Sequence, residues 1–171
     1  MALIKSVRGH TPVFGSNCFL ADNCTVIGDV ITGDDCSIWF NTVIRGDVNS
    51  IRIGNKVNIQ DNSVLHCTYK KTTVTIGNNV TIGHNGIVHG ALIEDNVLVG
   101  MGAILMDRVS IGTNSIIAAG AVLPEGTIVE PGSIYAGVPA RRIGDADQAQ
   151  LRELVGGIAE RYTYYSGWYR E

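Results

Sequence analysis

The sequence predicts an all-β solenoid, a parallel β-helix of six-residue repeats that is followed by one C-terminal α-helix. A large and mostly aliphatic residue leads each repeat from Phe14 to Tyr135, and sixteen of the nineteen intervals between successive leads are six residues long. This period is typical of β-helices, in which each repeat supplies one short strand and one turn. Three repeats complete a coil, so every third repeat returns to the same face. We expect the β-helix to span residues 1–143.

The N-terminal part of the predicted β-helix is regular. Residues 1–13 should form an extended arm that covers the first coil, because the ends of repeat proteins need to be capped. The repeats then follow without interruption from Phe14 to Ile44. Trp39 and Phe40 fall at outward-facing positions, where an exposed aromatic pair would indicate a protein contact. Packing beneath the C-terminal helix would explain this pair equally well.

Two longer intervals predict where the chain leaves the regular coil. The step from Ile44 to Ile53 is nine residues long, so Asp47 to Arg52 should bulge at a corner. The step from Leu65 to Ile76 is eleven residues long and contains the insertion Thr68–Thr75. A loop that emerges beside a functional site is a natural place for a lid or a proton shuttle. This insertion contains no acidic residue and no histidine.

The period changes after the β-helix. Apolar side chains recur at helical spacing from Leu151 to Tyr165, and Asp145 with Gln148 three residues later has the pattern of a capping box. The sequence therefore predicts an amphipathic α-helix over residues 145–169 that packs along the β-helix.

Three of the four histidines fall within the repeats, and their register places them in columns. Arg45, His66 and His89 are each the second residue of a repeat and are three repeats apart in turn, so they should stack on one face. Asp61 and His84 are each the third residue of a repeat and should stack on another face, with Gln60 beside them. His10 lies outside this pattern and is assigned no role.

These columns predict a metal site between subunits. One β-helix cannot easily bring His84 round to the tips of His66 and His89, whereas a neighbouring copy could. We therefore expect a homotrimer in which His66 and His89 of one chain and His84 of the next bind a metal ion. Three imidazoles with an open fourth position suit a catalytic Zn²⁺, although Fe²⁺ or Co²⁺ would also fit.

Composition excludes several classes of function. The formal net charge is −3 and no basic patch suggests a nucleic-acid partner. The first twenty residues lack the apolar run of a signal peptide, and the chain has no stretch of eighteen apolar residues. We expect a cytoplasmic protein without membrane partners.

The four cysteines fit that compartment. Cys18, Cys24 and Cys36 occupy the fifth position of their repeats, where small side chains pack inward, and should be free, buried thiols. Cys67 follows His66 directly and should point away from it, because side chains alternate along a strand. We assign Cys67 no role.

Three motifs resemble those of the γ-class carbonic anhydrases, which are left-handed β-helical trimers of the hexapeptide superfamily. They are IRGD at residues 44–47, NIQDNSVLH at residues 58–66 and TIGHNGIVHG at residues 81–90. The resemblance covers residues 10 to 143. It implies the fold's left hand and the reversible hydration of CO₂ to bicarbonate by a metal-bound hydroxide.

The resemblance also implies roles for individual residues. His66, His84 and His89 would be the metal ligands, and Gln60 would orient the bound hydroxide. Arg45, Asp47 and Asp61 would form a charged network between subunits, in which Arg45 could also hold bicarbonate. Members of the family often place a polar residue of the C-terminal segment near the metal, and Tyr164 is the candidate here.

The sequence leaves other activities open. Tyr69, Lys70 and Lys71 stand in the insertion where the best-known branch of the family has an acidic proton relay, which weakens the case for fast CO₂ hydration. A metal-dependent acyl-CoA thioesterase or an inactive homologue would keep the same trimer and metal. A hexapeptide acyltransferase is a third alternative, but that chemistry needs one histidine as general base and not three.

Overall fold

The protein folds into a three-faced parallel β-solenoid closed by one α-helix, as the six-residue period predicts. The computed structural model describes residues 1–169, apart from the side chains of residues 148, 150, 152, 159, 160 and 163. No helix in this part of the chain combines the length and the apolar character needed to cross a membrane.

The strands stack in three parallel faces. The first halves of β3 (Thr25–Thr32) and β5 (Val43–Ile53) begin face one, and their second halves turn a corner and begin face two. Face one continues with β7 (Val64–His66), β10 (Ile87–His89), β13 (Ile104–Leu105) and β16 (Val122–Leu123). Face two continues with β8 (Val74–Ile76), β11 (Leu92–Ile93), β14 (Ser110–Ile111) and β17 (Ile128–Val129).

Face three forms a separate sheet. It contains β2 (Phe19–Leu20), β4 (Ser37–Ile38), β6 (Asn58–Ile59), β9 (Thr81–Ile82), β12 (Leu98–Val99), β15 (Ile116–Ile117) and β18 (Ser133–Gly137). The antiparallel strand β19 (Ala140–Asp145) ends this sheet. At the other end of the solenoid, β1 (Leu3–Lys5) pairs in parallel with β3, so the N-terminal arm covers the first coil as expected.

The repeat folds in this way because its first residue is buried in the core and its fourth residue adopts a left-handed backbone conformation. The leading residue points into the solenoid, and Ile44, Leu65 and Val88 are completely buried in one continuous core. The fourth residue turns the corner in the left-handed conformation, as Asn85 does at φ 58°. Asn and Gly tolerate that conformation best. They fill this position in most repeats: Asn17, Asn41, Asn62, Asn79, Asn85, Asn96, Asn114, Gly102, Gly120, Gly126 and Gly132.

The helix α1 (Gln148–Gly167) begins three residues later than predicted. Asp145 does not cap it, because β19 continues to Asp145, which pairs with Ser133 and forms an ion pair with Arg142. Asp147 takes this place, and its Oδ1 accepts a hydrogen bond from the backbone N of Ala149 at 2.9 Å. The side chain of Gln148, the other half of the predicted capping box, lies outside the described part of the structure.

The helix packs against face three through two clusters. Leu151 and Val155 are buried against Leu98, Ile116 and Ile134. Farther along the helix, Tyr162 and Tyr165 pack beside a cluster formed by Phe19, Ala21 and Trp39. Trp39 is therefore buried, with its ring centroid 5.1 Å from that of Tyr162. Of the two interpretations of the Trp39 and Phe40 pair, packing beneath the helix is the one that the fold adopts.

The cysteines are free, as predicted. Cys24, Cys36 and Cys67 are buried, whereas Cys18 is partly exposed, so the prediction of a buried thiol is wrong at Cys18. Cys67 faces the core whereas His66 reaches the surface, which agrees with the alternation of side chains along β7.

Candidate metal centre

His66 and His89 lie side by side on face one. They are register partners at the ends of β7 and β10, and each follows a fully buried leading residue, so their side chains point outward. The ring centroids are 5.2 Å apart. His66 Nδ1 lies 3.2 Å from His89 Nε2. The predicted column is thus present for both histidines.

A carboxylate contacts the other nitrogen of each ring. Asp47 Oδ1 lies 3.2 Å from His66 Nε2, and Asp107 Oδ1 lies 2.8 Å from His89 Nδ1. An ionised carboxylate can only accept hydrogen bonds, so in a neutral imidazole the N–H points toward the aspartate. The lone pairs of His66 Nδ1 and His89 Nε2 then face each other.

This arrangement fits a metal ion. Two imidazole nitrogens at ~2.0–2.1 Å from one tetrahedral zinc are ~3.3 Å apart, close to the 3.2 Å between His66 and His89. Two facing lone pairs repel each other unless a cation lies between them. Carboxylates on the outer nitrogens of metal-binding histidines fix the tautomer and the orientation of the ring.

The third histidine lies elsewhere on the same chain. His84 follows β9 at the corner that leads to face one, whereas His66 and His89 lie at the far end of that face. Among the side chains that the structure describes, no three of His, Cys, Asp or Glu come close enough together to hold a metal ion. One chain thus provides a pair of imidazoles at one edge and a single imidazole at another.

His84 has the same kind of carboxylate partner as the other two histidines. Its Nδ1 lies 2.9 Å from Asp61 Oδ2, so Nε2 is the nitrogen that points away from the carboxylate. Its backbone N donates to Gln60 Oε1 at 3.2 Å, so the register that placed Asp61, Gln60 and His84 together is correct. His84 opens into a largely apolar cleft of about 600 Å³ between α1 and face three. The cleft is also lined by Gln60, Met101, Ile158, Tyr162 and Tyr165.

Burial and a neighbouring positive charge favour the neutral form of the His66 ring. Burial lowers the pKa of His66, and the positive charge of Arg45 lowers it further. Arg45 Nη1 donates to Asp47 Oδ2 at 2.7 Å. Burial alone would raise the pKa of Asp47, but the hydrogen bonds from Arg45 and His66 outweigh it and hold that pKa below its ordinary value. A neutral imidazole is the form that binds a metal.

Within one chain, Tyr162 is the tyrosine that reaches a histidine, and a role for Tyr164 at a site shared between subunits stays a prediction. Tyr164 is exposed, and its ring packs on Tyr165 and Trp168. The hydroxyl of Tyr162 lies 3.5 Å from His84 Nε2. The apolar stripe of α1 contains Tyr162 and Tyr165, whereas Tyr164 lies off that stripe. The helical spacing in the sequence was the signal that favoured Tyr162.

Sequence reasoning did not identify Asp107. This residue is the third of the repeat led by Leu105, on the coil that follows His89. The backbone register pairs Val88 with Leu105, so position matching aligns His89 with Met106. Asp107 is the residue after Met106. It was missed because the sequence analysis compared only residues at the same position of their repeats.

Comparison with known proteins agrees with this architecture. A family described as bacterial transferase hexapeptide (six repeats) matches residues 90–125. A solved structure of a hexapeptide transferase family protein from Anaplasma phagocytophilum superposes with a TM-score of 0.88 at 38% identity, covering 98% of each chain. The protein is therefore a hexapeptide-repeat β-solenoid.

Curated relatives narrow this class to a family. A carbonic anhydrase from Geobacillus kaustophilus is 43% identical over 168 residues, which cover 98% of this chain and 91% of the relative. The mitochondrial gamma carbonic anhydrase 1 of Arabidopsis thaliana is 39% identical over 95% of this chain and 60% of the plant protein. The chain belongs to the γ-class carbonic anhydrase family, which confirms the resemblance found in its motifs.

Proposed function

We propose that this protein is a metal-dependent γ-type carbonic anhydrase that interconverts CO₂ and bicarbonate at a site shared between subunits of a homotrimer. The observation that carries the proposal is that His66 Nδ1 and His89 Nε2 lie 3.2 Å apart while the other nitrogen of each ring contacts an aspartate. The names of the relatives support the same activity.

The proposed site takes His66 and His89 from one chain and His84 from the next. Each of these rings has one nitrogen on a carboxylate, and the other nitrogen has no carboxylate contact and is the one that would bind the metal. Three neutral imidazoles leave one position of a tetrahedral ion open, which suits Zn²⁺, and Fe²⁺ or Co²⁺ would accept the same ligands. When bound, zinc would supply the Lewis acidity that makes hydroxide available at neutral pH.

The side chains around the ligands bind and orient the reactants in this proposal. Gln60 is buried and its Oε1 is already occupied by the backbone N of His84, so its amide N–H groups remain to orient an oxygen at the site. The guanidinium of Arg45, beside Asp47, gives bicarbonate a positive partner. Asp61 keeps the ring of His84 in the orientation in which Nε2 points away from the carboxylate.

A mixed trimer tests whether the site is shared. His66→Ala and His84→Ala subunits should each form trimers without metal or activity. When the two variants assemble together, a His84→Ala subunit supplies His66 and His89, and a neighbouring His66→Ala subunit supplies His84. Random mixing should restore about a quarter of the wild-type metal content and CO₂ hydration. If both remained absent from doubly tagged mixed trimers, the shared site would be refuted.

Two further assays separate the alternatives. A metal-dependent thioesterase would hydrolyse acyl-CoA, and this activity would be lost with the metal and in His84→Ala. An acyltransferase that uses one histidine as general base would continue to transfer acetyl groups after complete removal of metal. The proposal predicts CO₂ hydration by the metal-loaded protein and neither of these activities. The pairing of all three histidines with carboxylates favours metal binding over a single basic histidine.

A further inference from the structure

We infer that Asp107 is a positioning residue for the metal ligand His89, and that it ties this ligand to the insertion Thr68–Thr75. The inference rests on the proposed function, because it assumes that His89 binds metal. It assigns a role to a residue outside the sequence motifs and to a loop whose length interrupts the repeat.

Asp107 accepts three hydrogen bonds from side chains. His89 Nδ1 and Thr72 Oγ1 approach Oδ1 at 2.8 and 3.1 Å, and Thr68 Oγ1 approaches Oδ2 at 2.5 Å. Burial alone would raise the pKa of Asp107, but the hydrogen bonds from Thr68, His89 and Thr72 outweigh it, so its pKa lies below the ordinary value. The carboxylate therefore has fixed partners on both oxygens, and its position determines the orientation of the imidazole.

The insertion is a closed turn and not a free lid. The backbone N of Thr68 donates to Thr72 Oγ1 at 2.9 Å, and the backbone N of Thr72 donates to Thr68 O at 3.2 Å. On its other side, Asn49 Nδ2 donates to Thr72 O at 2.8 Å, which links the turn to the bulge after Asp47. The hydroxyls of Thr68 and Thr72 are thus held in place to donate to Asp107.

The backbone beside His89 is shaped for this contact. Gly90 has a φ of 58°, and a Cβ there would lie 2.1 Å from Asp107 Oδ1 and 2.4 Å from Thr72 Oγ1. Glycine allows the aspartate and the turn to approach the strand that carries the ligand. The result is one connected path from the ring of His89 through Asp107 to both ends of the turn.

Asp107→Asn tests the inference with little change in shape. The amide carries no negative charge, and its Nδ2 cannot accept, so the charge-assisted hydrogen bond to His89 is weakened and the hydrogen bond from Thr68 must be lost or reversed. Loss of a partner of this kind typically weakens metal binding about 10–100-fold. We expect this increase in the zinc Kd, measured by competition with a chromophoric chelator, while metal-free Asp107→Asn keeps the circular dichroism spectrum of the wild type.

Asp95→Asn is the matched control. Asp95 is also the third residue of its repeat, and its Oδ1 also accepts a hydrogen bond from the preceding coil, from the backbone N of Asn78 at 2.6 Å. It has no histidine partner, so we expect its zinc Kd to equal that of the wild type.

The tautomer of His89 provides a readout that a general loss of stability would not change. In the metal-free wild type, ¹⁵N NMR should show the proton of His89 on Nδ1. Asp107→Asn should mix the two tautomers, and Asp107→Glu should restore part of the zinc affinity. Thr68→Val keeps the aspartate but removes one donor, so it tests the inference even if Asp107→Asn does not fold. We expect its zinc Kd to rise by about 10-fold, the lower end of the range for loss of such a partner.

The outcomes separate the two proposals. If the wild type binds zinc and both Asp107→Asn and Thr68→Val bind it equally well, the role of Asp107 is refuted and the proposed metal site stands. The same holds if Asp107→Asn does not fold and Thr68→Val binds as tightly as the wild type. If the wild type binds no divalent metal, the proposed function and this inference both fall.

Discussion

Gly90→Ala and Gly102→Ala form a pair that measures how tightly the network around Asp107 is packed. Both glycines are in the left-handed conformation, at φ 58° and 68°. Alanine at either position costs ~1–2 kcal/mol in backbone strain. A Cβ at Gly102 meets nothing within 4 Å, whereas a Cβ at Gly90 would lie 2.1 Å from Asp107 Oδ1. Gly90→Ala must therefore displace the carboxylate as well.

The hydrogen bonds to Asp107 give the expected difference in the free energy of unfolding between the two variants. A hydrogen bond to a charged group contributes ~1.5–3 kcal/mol, so loss of a single one of the three to Asp107 adds that amount. We expect Gly102→Ala to lower the free energy of unfolding by ~1–2 kcal/mol, and Gly90→Ala to lower it by ~2.5–5 kcal/mol.

Urea unfolding of the metal-free proteins, followed by circular dichroism at equal protein concentration, measures both values. The slopes against urea should match that of the wild type, which shows that the same surface is exposed on unfolding. The usual effect of a surface substitution is below ~0.5 kcal/mol. If the two variants differed by less than that, a Cβ at position 90 would not displace the carboxylate of Asp107, and the reasoning would be refuted.

Three further predictions concern other parts of the molecule. A hydrogen bond from Cys36 lowers the pKa of Cys18, whereas burial raises the pKa of Cys67 to about 11. Iodoacetamide at neutral pH should therefore label Cys18 first, which peptide mass spectrometry can show. Because its pKa is lowered, Asp47 stabilises the fold above about pH 4, and this contribution is lost as the pH falls through the folded-state pKa. Below pH 4, the free energy of unfolding of Asp47→Asn should therefore depend less on pH than that of the wild type. Trp39→Ala should cost ~3–5 kcal/mol and speed proteolytic cleavage within α1, since the ring packs on Tyr162.

The period of the sequence determines most of what could be predicted about the fold. A six-residue repeat specifies which residues are buried, which residues stack and how far apart the stacked residues lie, so the contact between His66 and His89 follows from counting. The neighbourhood of Asp61, Gln60 and His84 follows in the same way. These predictions depend only on backbone register, which the core residues enforce.

Features outside that register could not be predicted in the same way. Asp107 contacts His89 from the position next to its register partner, and nothing in the sequence marks Thr68 and Thr72 as donors to it. The helix starts at Gln148 because β19 pairs back onto β18 as far as Asp145, an exit strand that has no periodic signal. The contact of Tyr162 with His84 depends on the helical spacing of α1 and not on the six-residue register.

The corners of the solenoid tolerate extra residues without altering the ladder between them. His66 and His89 are 23 positions apart in the chain and His89 and Asp107 are 18 apart, yet each pair bridges adjacent coils. The backbone hydrogen bonds set the vertical spacing, so a corner can lengthen while the distance between the two imidazoles stays constant. Segments inserted or deleted at these corners would therefore reshape the surface beside the two rings and leave the distance between the rings unchanged.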